Sequence, residues 1–119
     1  MPVAFYAPMK PPGHPVPSGD RNMARAILAA LSYAGADPVL ASTLQTRDGR
    51  GDAARQRDLL QAAEAEVQRL IPVGSAAGWQ AWVSYHNYYK APDLVGPAVT
   101  KALGIPYLQI ESTRARKRL

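Results

Sequence analysis

Four short apolar runs, each separated from the next by a stretch of helical spacing, constrain this chain more than any other feature. VAFYA (Val3 to Ala7), PVLAS (Pro38 to Ser42), WQAWVSYH at 79–86 and IPYLQI at 105–110 read as strands. Runs so uniformly apolar suit strands covered on both faces. After the first, Met23, Ile27, Leu31 and Ala34 recur at helical spacing, with Ala24 and Leu28 widening the stripe. Ser18 or Asp20 caps that helix and Gly35 closes it. A second helix is expected from Asp52 to Ile71, with Leu60, Ala63, Val67 and Leu70 facing the core and Pro72 stopping it before a GSAAG loop. Its other face (Arg55, Arg57, Glu64, Glu66, Arg69) reads as solvated surface. KAPDLVGPAVTKALG reads as a third helix, with Asp93 as N-cap, Pro97 in the first turn and Gly104 at the end. The order β-α-β-α-β-α-β predicts an α/β, Rossmann-like three-layer domain with a mostly parallel sheet and helices on both faces. That domain is expected to span 1–113, leaving 114–119 as a basic tail or truncation edge.

The length of 119 residues suits one domain, and 47% hydrophobic content suits one packed core. No apolar run approaches the roughly 18–20 residues that span a bilayer. The opening PVAFYA lacks the charged and apolar regions of a signal peptide. Zero cysteines excludes disulfides, thiolate metal sites and cysteine nucleophiles, and suits a reducing, cytoplasmic setting. With only His14 and His86 present, a histidine-rich metal site is excluded as well. Of the net charge of +5, four positive charges (Arg114, Arg116, Lys117, Arg118) lie at the end, so the body is nearly neutral. The tail reads first as a solvated terminus or the cut edge of a longer protein. No aromatics interleave with its charges, so no specific nucleic-acid partner is expected, while contact with anionic lipid stays open.

In a parallel sheet of this kind ligands bind beyond the carboxyl ends of the strands, where the strand order switches. Three segments project there: PMKPPGHPVPSGDR, YHNYYKAPD and ESTRARKR. The first is unusual. Its prolines exclude both strand and helix, and it is roughly ten residues long where βα loops usually take about two to six. Polar candidates gather in these segments: Ser18, Gly19, Asp20, Arg21, His86, Asn87, Lys90, Glu111 and Ser112. Ser-Gly-Asp opening a helix offers free amides to an anion, or is a plain N-cap. His86 is a candidate general base or hydroxyl contact, with a structural role as the alternative. Glu111 is a candidate acid/base, or a salt-bridge partner of the arginines beside it. Tyr85, Tyr88 and Tyr89 suit sugar stacking, whereas Trp79 and Trp82 read as packing under the sheet. Neither G-x-G-x-x-G after the first strand nor a P-loop motif is present, which disfavours dinucleotide and P-loop chemistry.

VAFYAP…PPGHPVPSGDRNMARAILAALSYAGADPVLAS resembles the opening of GT-B glycosyltransferases, specifically the N-terminal domain of family-4-like members. WVSYHNYYKAPDLVGPAVTKALGIPYLQIES resembles their later segment, a histidine-bearing strand end followed by a helix and LGIP. The match is one of segment order over nearly the whole chain; each motif is short. The resemblance implies a retaining, metal-independent hexosyltransferase with no cofactor, moving a sugar from a nucleotide-sugar donor to a glycan or lipid acceptor. It implies that Gly19 and its neighbours form the glycine loop and that His86 and Asn87 line the acceptor side of the cleft. The chain departs from the family in having Ser18-Gly19-Asp20 where two adjacent glycines are frequent, and Glu111 where a histidine is frequent. It also lacks the paired-glutamate motif of the donor-binding C-terminal domain. The resemblance therefore implies an acceptor-side half, inactive without that second domain, cytoplasmic or peripheral at the inner membrane face. A homodimer through the exposed inter-domain face is a further expectation. The alternative reading is a stand-alone Rossmann-like module for an anionic ligand or partner.

Overall fold

In a computed structural model, the chain forms a four-stranded, all-parallel sheet with three helices. The structure describes residues 1–15, 18–48, 51–87 and 90–110, except for the side chain of Asp20. The elements are β1 (Pro2–Tyr6), α1 (Gly19–Tyr33), β2 (Asp37–Ser42), α2 (Ala53–Ala77), β3 (Ala81–Tyr85), α3 (Gly96–Leu103) and β4 (Tyr107–Ile110). The strand order is β2-β1-β3-β4, with β1 and β3 central. This is the expected α/β, Rossmann-like three-layer arrangement.

Strand alternation divides the core in two. Val3, Phe5, Ala7, Val83 and Tyr85 point to one face, where α1 covers them with Ala24, Ile27, Leu28 and Leu31. Ala4, Tyr6 and Trp82 point to the other, under Ala63 and Leu70 of α2, Val95 just before α3 and Val99 within it. Trp79 and Trp82 are both buried, as expected, and pack edge to face at 6.0 Å, with Tyr6 against Trp82 at 5.9 Å. The outer strands are less covered than their apolar sequences suggest: Val39 of β2 and Leu108 of β4 are about half exposed.

Several expectations need correcting. Pro72 does not stop α2, which runs through it to Ala77. A proline there deletes one amide bond but leaves the flanking turns intact, and buried Leu70 and Gly74 hold the helix on both sides. The true stop is Gly78, left-handed at φ 70°, so GSAAG is the last part of the helix rather than a loop. Gly74 is needed for packing, because a Cβ there would run into the Trp79 ring. The buried face of α2 carries Leu59, Ala63, Leu70 and Gly74, while Leu60 is 58% exposed. In α1, Met23 and Ala34 lie outside the core stripe. Strand β3 begins at Ala81: the Trp79 amide still closes α2 on the Gly74 carbonyl, and the Gln80 amide makes the first bond to β1, at the Pro2 carbonyl.

The charged face of α2 is not only solvated surface. Ser42 Oγ donates to Glu66 Oε1 at 2.5 Å, and Arg69 bonds both the Glu66 carboxylate and the Ala41 carbonyl. Arg69, by hydrogen bonding, holds the Glu66 carboxyl below its usual range. The depressed value means that this stabilising pair is present at neutral pH and is lost as pH falls through the lowered carboxylate pKa. The register also slips here: Phe5 pairs with Leu40 but Tyr6 with Ser42, leaving Ala41 as the extra residue whose carbonyl Arg69 takes.

The phase of α2 is checked by paired truncations. Leu59→Ala should cost about 2–4 kcal/mol in urea unfolding, and Leu60→Ala should stay within about 0.5 kcal/mol. The reverse order would mean that the helix is rotated by one residue.

Candidate functional site

The chain leaves β1 toward α1 on one face of the sheet and leaves β3 toward α3 on the opposite face. The carboxyl ends of β1 and β3 therefore flank the switch point, where parallel sheets of this class hold ligands. The segments after β1, β2 and β3 meet around it.

The proline segment after β1 is fastened down rather than loose. A proline-rich segment has more carbonyls than amides, and α1 supplies two of the missing donors from residues one turn apart. Arg21 Nη1 donates to the His14 carbonyl at 3.1 Å, and Arg25 Nε to the Pro12 carbonyl at 2.7 Å. Pro8, Pro11 and Pro12 are buried. Ser18 is the N-cap of α1, its Oγ accepting from the Arg21 amide at 3.1 Å. Helix geometry leaves the amides of Gly19 and Asp20 without intrahelical acceptors. Gly19 is exposed, and a Cβ there would meet nothing within 4 Å. The guanidinium of Arg21 is committed to the loop, a role its sequence position did not reveal.

The segment after β3 turns on His86, whose φ of 61° makes it the one non-glycine residue in the left-handed region among those described. Asn87 Nδ2 donates to Tyr107 Oη at 3.3 Å, and Asn87 Oδ1 accepts from the Asp93 amide at 2.9 Å. Asp93, 6% exposed, is the centre of this cluster. Its Oδ1 accepts from the amides of Val95 at 2.9 Å and Gly96 at 2.7 Å. Its Oδ2 accepts from Trp82 Nε1 at 3.1 Å and Tyr107 Oη at 2.9 Å. The N-cap of α3 is Val95 rather than the expected Asp93; Asp93 stands two residues earlier, and its carboxylate takes the Val95 and Gly96 amides from there. Burial, then the Asp93 charge, pushes the Tyr107 phenol far above its usual range, with Ser84 and Gln109 opposing. Burial, reinforced by Asp93 and Glu66, does the same to Tyr6.

The short segment after β2 joins the other two, which sequence reasoning missed. The Thr46 amide donates to the Pro8 carbonyl at 3.0 Å, and Gln45 Nε2 to the Met9 carbonyl at 3.0 Å. Thr46 Oγ1 donates to the Pro92 carbonyl at 2.6 Å, and the Asp48 amide to the Lys90 carbonyl at 2.8 Å. Tyr6 Oη reaches the Leu44 carbonyl at 2.6 Å. Nothing in a run such as STLQT announces this bridging. Beneath it lies a cavity of about 230 Å³ lined by Thr46, Asp48, Gln56, Leu59, Leu60, Lys90, Pro92 and Leu94.

The expected site residues accordingly fall into two groups. Ser18, Gly19 and Arg21 stand at the start of α1, and the backbone of Asp20 with them. His86, Asn87 and Lys90 stand beyond β3, with Lys90 on the cavity wall. The bridge after β2 links the two groups through Pro8 and Met9 on one side and Lys90 and Pro92 on the other. Glu111, Ser112, Tyr88, Tyr89 and the basic tail lie outside the described residues. Among the described residues, no three His, Asp or Glu side chains gather to hold a metal, and no helix is long and apolar enough to cross a membrane.

Two glycines separate packing from availability. A Cβ at Gly96 would lie 2.5 Å from Asp93 Oδ2, Trp82 Nε1 and Tyr107 Cε1. Gly96→Ala should therefore destabilise by about 2–3 kcal/mol, while Gly19→Ala should change thermal stability by less than about 0.5 kcal/mol. Equal effects at the two positions would contradict the described packing.

No protein-family model, no curated protein and no solved structure matches the chain.

Proposed function

We propose that the chain is the acceptor-side domain of a GT-B-type glycosyltransferase, moving a sugar from a nucleotide-sugar donor to a glycan or lipid acceptor. The observation that carries this reading is the switch-point crevice. The start of α1 stands on its β1 side, and a left-handed His86 stands on its β3 side. The order of sequence segments that resembles this enzyme class supports the choice of reaction.

In this reading the amides of Gly19 and Asp20, with the positive end of the helix dipole, favour a diphosphate approaching from a second domain. His86 would orient an acceptor hydroxyl, and Lys90, on the cavity wall beside α2, adds a cation at the same edge of the sheet. The work asked of these residues is positioning and electrostatic stabilisation rather than covalent chemistry. No metal ligand is required of this chain. Glu111 keeps its expected acid/base part as a component of the proposal.

The test is a titration of the isotope-labelled chain with a nucleoside-diphosphate sugar and with oligosaccharide and polyprenyl-phosphate acceptors. Amide shifts are expected at Gly19, His86, Asn87 and Lys90, with no sugar transfer by this chain alone. Turnover by the 119-residue chain would contradict the reading, as would shifts confined to surfaces away from the crevice. Tight binding of inorganic pyrophosphate with no response to any sugar would instead favour a stand-alone anion-binding module.

A further inference from the structure

We infer that Asn87 and Tyr107 are positioning residues that hold His86 in its left-handed conformation and so turn its imidazole toward the Tyr85 side of the sheet. Along β3 the side chains alternate: Val83 and Tyr85 face α1, while Trp82 faces α2 and α3. Continued extension would send His86 to the Trp82 side and Asn87 to the Tyr85 side. The structure has the opposite arrangement. The Asn87 carboxamide bonds Tyr107 Oη and the Asp93 amide, in the cluster that also takes Trp82 Nε1. The His86 ring lies with its centroid 5.7 Å from that of Tyr85, in a tilted contact. A single left-handed residue at 86 accounts for both reversals.

Such a residue is unfavourable for an L side chain and persists only where its neighbours over-determine it. Here the constraints act from both sides. Before the turn, the His86 amide donates to the Ile110 carbonyl at 3.0 Å, extending the β3–β4 ladder through residue 86. After the turn, Asn87 is held at both ends of its carboxamide, against Tyr107 at 3.3 Å and Asp93 at 2.9 Å. Those partners are themselves tied down, since Asp93 is bonded by Trp82, Val95, Gly96 and Tyr107. Between a ladder bond and an anchored side chain, residue 86 has to reverse direction. Asn87 is therefore not primarily a ligand contact, as the sequence suggested, but the anchor that presents its neighbour. The value of presenting His86 rests on the proposed crevice, whereas the mechanical coupling does not.

A double-mutant cycle in urea, followed by the fluorescence of buried Trp79 and Trp82, tests the coupling. In the wild-type background His86→Gly relieves the strained conformation. With Asn87→Ala, residue 86 is released and the benefit of glycine disappears. The unfolding equilibrium constants should depart from additivity by about five- to thirtyfold, the range expected for one left-handed L residue. Tyr107→Phe, which removes only a hydroxyl, carries the same cycle if Asn87→Ala leaves too little folded protein. Additivity within about twofold overturns the inference. Because no ligand enters the cycle, loss of the glycosyltransferase reading would leave its result standing, and the converse holds too.

Discussion

The carboxylate of Asp93 is the interaction on which the carboxyl side of this sheet depends. A buried charge with unfilled hydrogen-bonding capacity would be severely destabilising, so its surroundings are dictated by it. Two backbone amides at the start of α3, one indole and one phenol fill its two oxygens. The positive end of α3 adds a favourable field. From this one group follow the glycine at 96, the orientation of Trp82 in the core, the tie between β4 and α3, and the anchoring of Asn87. The left-handed turn at His86 is the last step in that chain of constraints.

The other half of the edge is organised by a different shortage. Prolines make the segment after β1 stiff but leave it with carbonyls that its own amides cannot satisfy, and Arg21 and Arg25 make up the deficit. Thr46 and Gln45 complete the attachment and extend it to the segment after β3. The three loops therefore form one cross-linked surface on a rigid sheet. Such pre-organisation lowers the entropy that binding must otherwise supply. It suits a domain that presents a prepared face to a ligand and a second domain, as the proposed function requires.

Much of the fold was legible because it rests on periodicity. The four apolar runs became the four strands, and the three helical stretches lie between them. Errors arose where a local rule was outweighed by packing. Pro72 reads as a stop, yet Leu70, Gly74 and the Gly78 cap hold the helix across it. Leu59 and Leu60 are indistinguishable in sequence, and only the rotation of α2 against the sheet buries one of them. The candidate loops after β1 and β3 followed from topology, and Asp93 stood out as a helix-start residue although Val95 holds the cap position. Its indole and phenol partners were not, because Trp82 and Tyr107 lie 11 and 14 residues away and meet it only through strand pairing. The bridging role of Thr46 depends on backbone amides and carbonyls, which no side-chain pattern encodes.

Amide hydrogen exchange on wild type and Asp93→Ala tests the organising role of this carboxylate most directly. In wild type, the amides of Val95 and Gly96 should be protected nearly as well as those of β1 and β3. In Asp93→Ala, protection should collapse across 93–96 and at His86 while β1, β2 and α1 keep theirs. Unchanged protection at Val95, Gly96 and His86 in the variant would contradict the account.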